Sequence, residues 1–180
     1  MKKIISVLAI LIMLLSNVFA ITVDDAADTL VKMNLMSGYP DGTLGLEKYI
    51  TRAEFCTLIA KMLGINNQES FLVDDFEDLQ SHHWAYKSVI ALADKGVISG
   101  YQDHTFRPSS TLTYAECASI LIGVLEYKNE LEGVWPTNVM SMAESLQLNK
   151  DLIIEKHSDK MTRGYVSIML INALNVEMKN

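Results

Sequence analysis

A repeat with a constant offset of 62 residues runs through this sequence. Gly38-Tyr39 recurs as Gly100-Tyr101, and Thr51-Arg52-Ala53-Glu54 recurs as Thr113-Tyr114-Ala115-Glu116. Two further matches at the same offset are Asp41 with Asp103 and Thr43 with Thr105. One offset shared by separate motifs is hard to obtain by chance, so the chain is predicted to consist of repeated units.

A third copy of the unit is degenerate. Thr162-Arg163-Gly164-Tyr165 lies 49 residues after Thr113, and residues 139–148 resemble the helix predicted at 89–98, but the glycine-tyrosine loop is missing between them. We place the units at residues 21–65, 74–127 and 134–176. The polar stretches at 66–73 and 128–133 are predicted to be linkers.

Each unit is predicted to form a helix, a turn-rich loop and a second helix. In the second unit, apolar residues recur at helical spacing from Trp84 to Ala93, and Gly96 ends that helix. The second helices are apolar on more than one side, which indicates burial between units. The expected fold class is therefore all-α, with three units packed as one body because a single unit cannot bury its apolar surface alone.

The first twenty residues are predicted to be a secretory signal peptide. Lys2 and Lys3 precede an apolar run, and Val18-Phe19-Ala20 suits cleavage after Ala20. The alternative is a retained membrane anchor, because residues 4–20 are only slightly short of a span. Removing residues 1–20 takes away two lysines and no acidic residue, so the net charge changes from −7 to −9. The mature protein is expected to be acidic and exported, without a membrane span and without nucleic acid as a partner.

The repeated Thr-x-x-Glu motifs have the spacing of a helix capping box. The threonine hydroxyl accepts a hydrogen bond from the N3 amide, and the glutamate accepts one from the backbone N–H of the cap residue. This accounts for Thr51 and Glu54 but not for Arg52, which places a cation in the first turn at a cost of about 0.3–1 kcal/mol. Arg163 follows Thr162 in the same way. On this ground alone, Arg52→Ala is expected to leave thermal stability almost unchanged or to raise it.

Arginine is rare in this chain. Arg52, Arg107 and Arg163 are the three arginines among 15 basic residues, and all lie in repeat loops or at the starts of second helices. A guanidinium fits a carboxylate or a phosphate, and a helix N-terminus beside it adds to an anion site. An inter-unit salt bridge is the alternative interpretation, and the sequence leaves both open.

Aromatic side chains also accompany the loops and helix starts. Such rings beside charged donors would suit a sugar ligand, although packing in the core is their commoner use. They are Tyr39, Tyr101, Phe106, Trp84 and Trp135.

Metal, cofactor and catalytic sites are not expected. Asp41-Gly42 lacks the alternating oxygen ligands of a calcium loop, and His82-His83 lacks the spacing of zinc ligands. No nucleophile–base pair or phosphate-binding loop stands out. Cys56 and Cys117 are one position out of register between the repeats and are expected to be buried free thiols rather than a disulfide.

In combination, these motifs resemble the S-layer homology (SLH) family of bacterial surface proteins. The family pattern is HWA in an opening helix, then GYxDGTFxP, then ITRAE. Residues 76–116 read FEDLQSHHWAYKSVIALADKGVISGYQDHTFRPSSTLTYAE, and residues 38–55 read GYPDGTLGLEKYITRAEF. WPTNVMSMAESLQL followed by MTRGYV resembles a degenerate last repeat. The resemblance covers nearly all of the chain after residue 20.

The resemblance implies a pseudo-threefold, all-helical body that holds proteins non-covalently on the envelope. The usual ligand of the family is a secondary cell-wall polysaccharide with a pyruvate ketal, contacted by the TRAE arginine. That arginine maps onto Arg52 and Arg163, whereas Tyr114 takes its place in the second unit and Tyr165 replaces the glutamate in the third. One groove is therefore expected to be silent, and Tyr114→Arg is expected to add a site. The predicted binding residues are Arg52, Arg163, Glu54, Thr51, Tyr39, Arg107 and Trp84.

Two functions are compatible with these residues. The first is an anchoring module in the bacterial cell wall or S-layer that binds pyruvylated polysaccharide. The second is a protein–protein scaffold of the same fold that has lost glycan binding and contacts other surface or S-layer proteins. An exported enzyme has little room because the three repeats occupy the chain.

Overall fold

The computed structural model describes residues 20–65 and 76–179, which form six α-helices and no strand. The helices are α1 (Val23–Lys32), α2 (Arg52–Met62), α3 (Tyr86–Asp94), α4 (Tyr114–Val124), α5 (Thr137–Ser145) and α6 (Arg163–Leu174). A 3₁₀ turn, Lys128–Glu130, lies in the predicted linker 128–133. The all-α fold class is thus confirmed. None of the helices in these residues is long and apolar enough to cross a membrane, and the predicted signal peptide, apart from Ala20, lies outside them.

The helix starts follow the predicted capping chemistry. Thr51 and Thr113 each accept a hydrogen bond from the N3 amide of α2 and α4, and both capping boxes are complete. Thr162 caps α6 in the same way, but its N3 residue is Tyr165 and there is no box. Gly96, which follows α3, has a φ of +68°, as a helix-ending glycine requires.

The start of the second unit differs from the prediction in one respect. Helix α3 begins at Tyr86 with Ala85 as its N-cap, so Trp84 lies before the helix. Trp84 is 63% exposed and its ring stacks on that of His83. The interpretation of Trp84 as part of the apolar helix face was therefore wrong.

The helices pack in a closed cycle between the predicted units. Helix α2 of the first unit packs on α3 of the second, and α4 of the second packs on α5 of the third. The cycle closes where α6, near the C-terminus, packs on α1. Each second helix is thereby covered by the first helix of another unit, and buried apolar residues from all three regions form one core cluster.

Backbone hydrogen bonds at the centre of the molecule repeat this cycle. Ile50 N–H donates to Met161 O (2.9 Å), Met161 N–H donates to Leu112 O (2.9 Å), and Leu112 N–H donates to Ile50 O (3.1 Å). All three residues are fully buried. Because each of them lies just before a second-helix cap, the cycle brings the starts of α2, α4 and α6 together.

Cys56 and Cys117 are free, buried thiols, as predicted. Burial raises the pKa of Cys56 to about 12 from an ordinary value of 9.0 and raises that of Cys117 well above it. The folded state therefore keeps protons that the unfolded chain releases above pH 9, so stability is lost as the pH rises.

We expect the free energy of unfolding to fall by about 1.4 kcal/mol per pH unit and per thiol above pH 9. Urea unfolding between pH 8 and pH 11, under reducing conditions, measures this slope. Cys56→Ala should show a shallower slope whatever its stability at pH 8. An identical slope in both proteins would mean that this thiol ionises in the folded state.

Candidate functional site

Arg52 extends from the first turn of α2 into the second unit. Its side chain is buried, and its Nε donates to Phe106 O (2.8 Å) while Nη2 donates to Ser99 O (3.4 Å). The guanidinium lies 4.9 Å from the centre of the Tyr101 ring and 4.8 Å from that of Phe106. Nη1 makes no hydrogen bond with the residues that the structure describes, and its acidic neighbour is Glu116 Oε1 at 3.8 Å. We call this group of Arg52, Tyr101 and Glu116 the Arg52 corner.

Glu116 belongs both to the capping box of α4 and to this corner. Its Oε2 accepts hydrogen bonds from the backbone N–H and the hydroxyl of Thr113, both at 2.8 Å. Its Oε1 accepts one from the Tyr101 hydroxyl at 3.0 Å. Burial alone would raise the pKa of Glu116, but these hydrogen bonds and the charge of Arg52 lower it overall. The glutamate therefore stays ionised, and its position is fixed by its own helix start.

Arg163 forms a second corner of the same design. Its Nε donates to Leu44 O (2.9 Å), its Nη2 donates to Ser37 O (3.0 Å), and its guanidinium lies 4.8 Å from the centre of the Tyr39 ring. The Tyr39 hydroxyl donates to Glu54 Oε1 at 3.0 Å, and Arg163 Nη1 is 3.9 Å from the same oxygen. We call this group of Arg163, Tyr39 and Glu54 the Arg163 corner.

The start of α4 forms the third corner without an arginine. Tyr114 N–H donates to Asp159 O (2.8 Å), just as the first residues of α2 and α6 donate to Ser110 O and Lys48 O. The side chain of Tyr114 is buried where the other corners have a guanidinium. By the same cycle, the glutamate position opposite it is Tyr165, at N3 of α6. Both members of the arginine–glutamate pair are therefore replaced at one corner.

The Tyr114 hydroxyl is the one buried side-chain polar atom, among the described residues, without a hydrogen-bond partner. Burial, and secondarily the charge of Glu144, raise the pKa of Tyr114 to about 12. We expect Tyr114→Phe to increase the free energy of unfolding by about 1 kcal/mol, since an unsatisfied buried hydroxyl is removed. Tyr101→Phe is the matched control and should decrease it, because that hydroxyl is bonded to Glu116. Urea unfolding at pH 7 measures both, and a loss of stability in Tyr114→Phe would contradict the expectation.

Two grooves with shared walls open beside the Arg52 corner. The first, of about 420 Å³, is lined by Arg52 together with Lys128. The second, of about 440 Å³, is lined by Arg107 and Lys160. Tyr101, Glu116 and Trp135 line both grooves. Trp135 is 53% exposed, so its ring offers an apolar surface to a molecule lying in either groove.

The structure divides the predicted binding residues between corners. Arg52 and Glu54, neighbours in sequence, belong to different corners, and Thr51 serves as a helix cap. Arg107 lies beside the Arg52 corner, because its guanidinium is 4.0 Å from the centre of the Tyr101 ring. Trp84 lines neither of the two grooves.

The backbone of Arg107 is held in an unusual conformation. Its φ is +59°, in the left-handed region that favours glycine, and the position 62 residues earlier is Gly45 with a φ of +56°. The carboxylate of Asp78 fixes this turn by accepting hydrogen bonds from Phe106 N–H (2.7 Å) and Arg107 N–H (2.8 Å). These two hydrogen bonds to Asp78 offset the conformational cost of an arginine at a position where glycine would be unstrained.

The three residues that line both grooves, Tyr101, Glu116 and Trp135, were not among the predicted binding residues, although Tyr101 and Trp135 were named as aromatic side chains that would suit a sugar. Tyr101 and Glu116 are the 62-residue counterparts of Tyr39 and Glu54, so the repeat offset alone could have found them. Trp135 comes from the third unit, and no sequence spacing links it to Arg52.

Known proteins that are similar to this chain are bacterial surface proteins. The model of the S-layer homology domain matches residues 22–56 and 75–118. A middle cell wall protein of Brevibacillus brevis is 30% identical over 99% of this chain, and a surface layer protein of Brevibacillus choshinensis is 30% identical over 81%. A cellulosome-anchoring protein of Acetivibrio thermocellus is 41% identical over 53% of this chain.

The chain spans only 18%, 13% and 22% of the length of these three relatives. The matched domain and the names of the relatives indicate a structural rather than a catalytic protein. They also indicate a location in the cell wall or S-layer and support cell-surface anchoring as the general role. Through the domains at residues 22–56 and 75–118, the chain belongs to the S-layer homology family of bacterial surface proteins.

Proposed function

We propose that this chain attaches protein non-covalently to the bacterial envelope by binding an acidic, pyruvylated secondary cell-wall polysaccharide at its arginine corners. The observation that supports this most is the Arg52 guanidinium. It is fixed by two backbone carbonyls and two rings, it lines an open groove, and its Nη1 has no hydrogen-bond acceptor among the described residues. A fixed donor of this kind suits a carboxylate, because little conformational freedom is lost on binding.

The remaining groove residues suit a sugar that carries such a carboxylate. The half-exposed Trp135 ring can cover an apolar face of the pyranose, and Lys128 adds a second cation at the same groove. The chain as a whole carries a net charge of −7, so it repels a polyanion at long range. Recognition therefore depends on these local contacts.

The Arg163 corner is proposed as the second glycan site. Its arginine, tyrosine and glutamate make the same contacts as those of the Arg52 corner. The hydrogen bonds donated by Nε and Nη2 of the two arginines differ in length by no more than 0.4 Å. Trp84 precedes the N-cap of α3 by one residue, as Trp135 precedes that of α5, so it is the candidate stacking residue there. The Tyr114 corner lacks both charges and is proposed to be silent.

Trp135→Ala tests this function with little disturbance of the core. We expect it to weaken the contribution of the Arg52 corner to binding of sacculi that carry their polysaccharide by about 2 kcal/mol, about 30-fold, as for a central aromatic contact, while binding at the Arg163 corner remains. Ile153→Ala is the matched control, because Ile153 is 84% exposed and lines neither groove. Co-sedimentation with sacculi, before and after removal of the polysaccharide, measures both variants.

Binding that persists on stripped sacculi, or that Trp135→Ala leaves unchanged, would contradict glycan recognition at this groove. In that case the protein–protein scaffold becomes the better explanation, with other surface or S-layer proteins as partners. Trp84→Ala should then be compared with Trp135→Ala, since two half-exposed tryptophans could serve a protein partner as well.

A further inference from the structure

The second groove beside the Arg52 corner is lined by two cations and an imidazole that the proposed function does not use. Arg107 comes from the loop before α4, whereas His157 and Lys160 come from the segment before α6. All three side chains are exposed and line the same concave surface of about 440 Å³. Arg107 is 50 or more positions away from the other two in the sequence, so only the cyclic packing brings them together.

Arg107 and Lys160 outnumber the acidic residues that line this groove. Lys160 Nζ donates to a backbone carbonyl, Thr111 O (3.3 Å), and has no acidic partner among the described residues. Arg107 is paired with Asp103 (2.9 Å), but its side chain remains about half exposed. Glu116 is the acidic residue that lines the groove, and its oxygens already accept hydrogen bonds from Thr113 and Tyr101.

The two grooves are neighbours that share walls. Tyr101, Glu116 and Trp135 line both, with Arg52 on one side and Arg107 and Lys160 on the other. A polymer bound beside Arg52 and Trp135 would therefore have the second groove next to it. A single acidic sugar would occupy only one groove, whereas a longer anionic ligand could contact both.

We propose that the second groove is a further anionic subsite, in which Arg107, Lys160 and His157 hold a second acidic group of the same polysaccharide chain. This inference rests on the proposed function of the Arg52 corner and adds the requirement for a ligand with at least two acidic groups. Arg107 and Lys160 supply charge, and the His157 imidazole supplies a hydrogen-bond donor. Asp78 fixes the backbone of Phe106 and Arg107, and the half-exposed Arg107 side chain lines this groove.

The test compares one-carboxylate and many-carboxylate probes on the intact chain. The probes are a pyruvylated monosaccharide and the polysaccharide released from purified sacculi. Arg107→Gln/Lys160→Gln removes two charges from the groove, and Lys32→Gln/Lys87→Gln removes two exposed charges elsewhere as the matched control. Isothermal titration at 50 and 300 mM NaCl gives the affinities, and thermal melting verifies that all variants are folded.

We expect the groove variant to bind the polysaccharide about 10- to 100-fold more weakly, with a smaller salt dependence, and to bind the monosaccharide as the native chain does. The control should bind both probes normally, while Trp135→Ala should weaken both. If Trp135→Ala weakens polysaccharide binding and the groove variant does not, the subsite is disproved and the proposed function stands. If the native chain binds neither probe, both are disproved.

Discussion

Arg163→Ala is expected to lower the free energy of unfolding by about 4 kcal/mol. The side chain is only 6% exposed and donates to Leu44 O and Ser37 O, 119 and 126 residues away in the sequence. Its removal leaves two carbonyls and the Glu54 carboxylate without their cation, at the place where the last helix closes onto the first unit. Arg163→Lys should recover only part of the loss, because an ammonium cannot reproduce the planar pair of donors.

Urea unfolding followed by circular dichroism measures this loss, and Arg107→Ala is its matched control. Arg107 is exposed and pairs with Asp103 at the surface, so its removal should change stability by no more than about 1 kcal/mol. A change below about 1 kcal/mol for Arg163→Ala would show that these bonds contribute little. The helix dipole alone predicts almost no loss of stability for Arg52→Ala, but both guanidinium groups are buried between units, where backbone carbonyls depend on them.

Tyr114→Arg is expected to destabilise the protein by about 3–5 kcal/mol rather than to create a binding site. The motif alone predicts a gain of function, since it restores the family arginine. In the structure, however, the opposite position is Tyr165, so a buried guanidinium would lack the N3 carboxylate that faces the other two arginines, and Glu144 would be its acidic neighbour. Tyr114→Phe separates this effect from the loss of the hydroxyl, because it keeps the ring without adding a charge.

The double substitution Tyr114→Arg/Tyr165→Glu completes this test. The introduced carboxylate would complete a capping box with Thr162 and supply the missing negative charge. The free energy of unfolding of the double variant should therefore exceed the value expected from additive single effects by about 2 kcal/mol. A double-mutant cycle in urea measures this coupling. Additive effects would contradict the pairing of these two positions, and a third glycan site is expected only in the double variant.

Because the arginines have both a structural role and a proposed binding role, glycan binding is better measured with variants of other residues. Arg52→Ala removes a proposed ligand contact and a buried structural contact together, since the same guanidinium serves both. Trp135 and the pair of Arg107 and Lys160 are exposed, so variants at these positions report binding with little loss of stability.

Much of the local structure was accessible from the sequence. The 62-residue offset identified Thr51, Thr113 and the glutamates three residues later, and the capping boxes lie where the motif predicts because a helix start is fixed by neighbouring residues. The thiols followed from their apolar helical context. The assignment of Trp84 to a helix face failed because an apolar residue just before a helix start has the same spacing as one inside it.

The tertiary structure alone decided which residues meet. The repeat places Arg52 beside Glu54, but a first-turn side chain leaves the helix toward the neighbouring unit, so Arg52 meets Glu116 and Arg163 meets Glu54. For the same reason the losses at Tyr114 and Tyr165, which the sequence assigns to two units, fall at one corner. The sequence by itself determined the helices, their caps and the residue types available for binding. The order of packing around the central backbone hydrogen bonds is a long-range property, and it determined the partners, the grooves and the cations that line them.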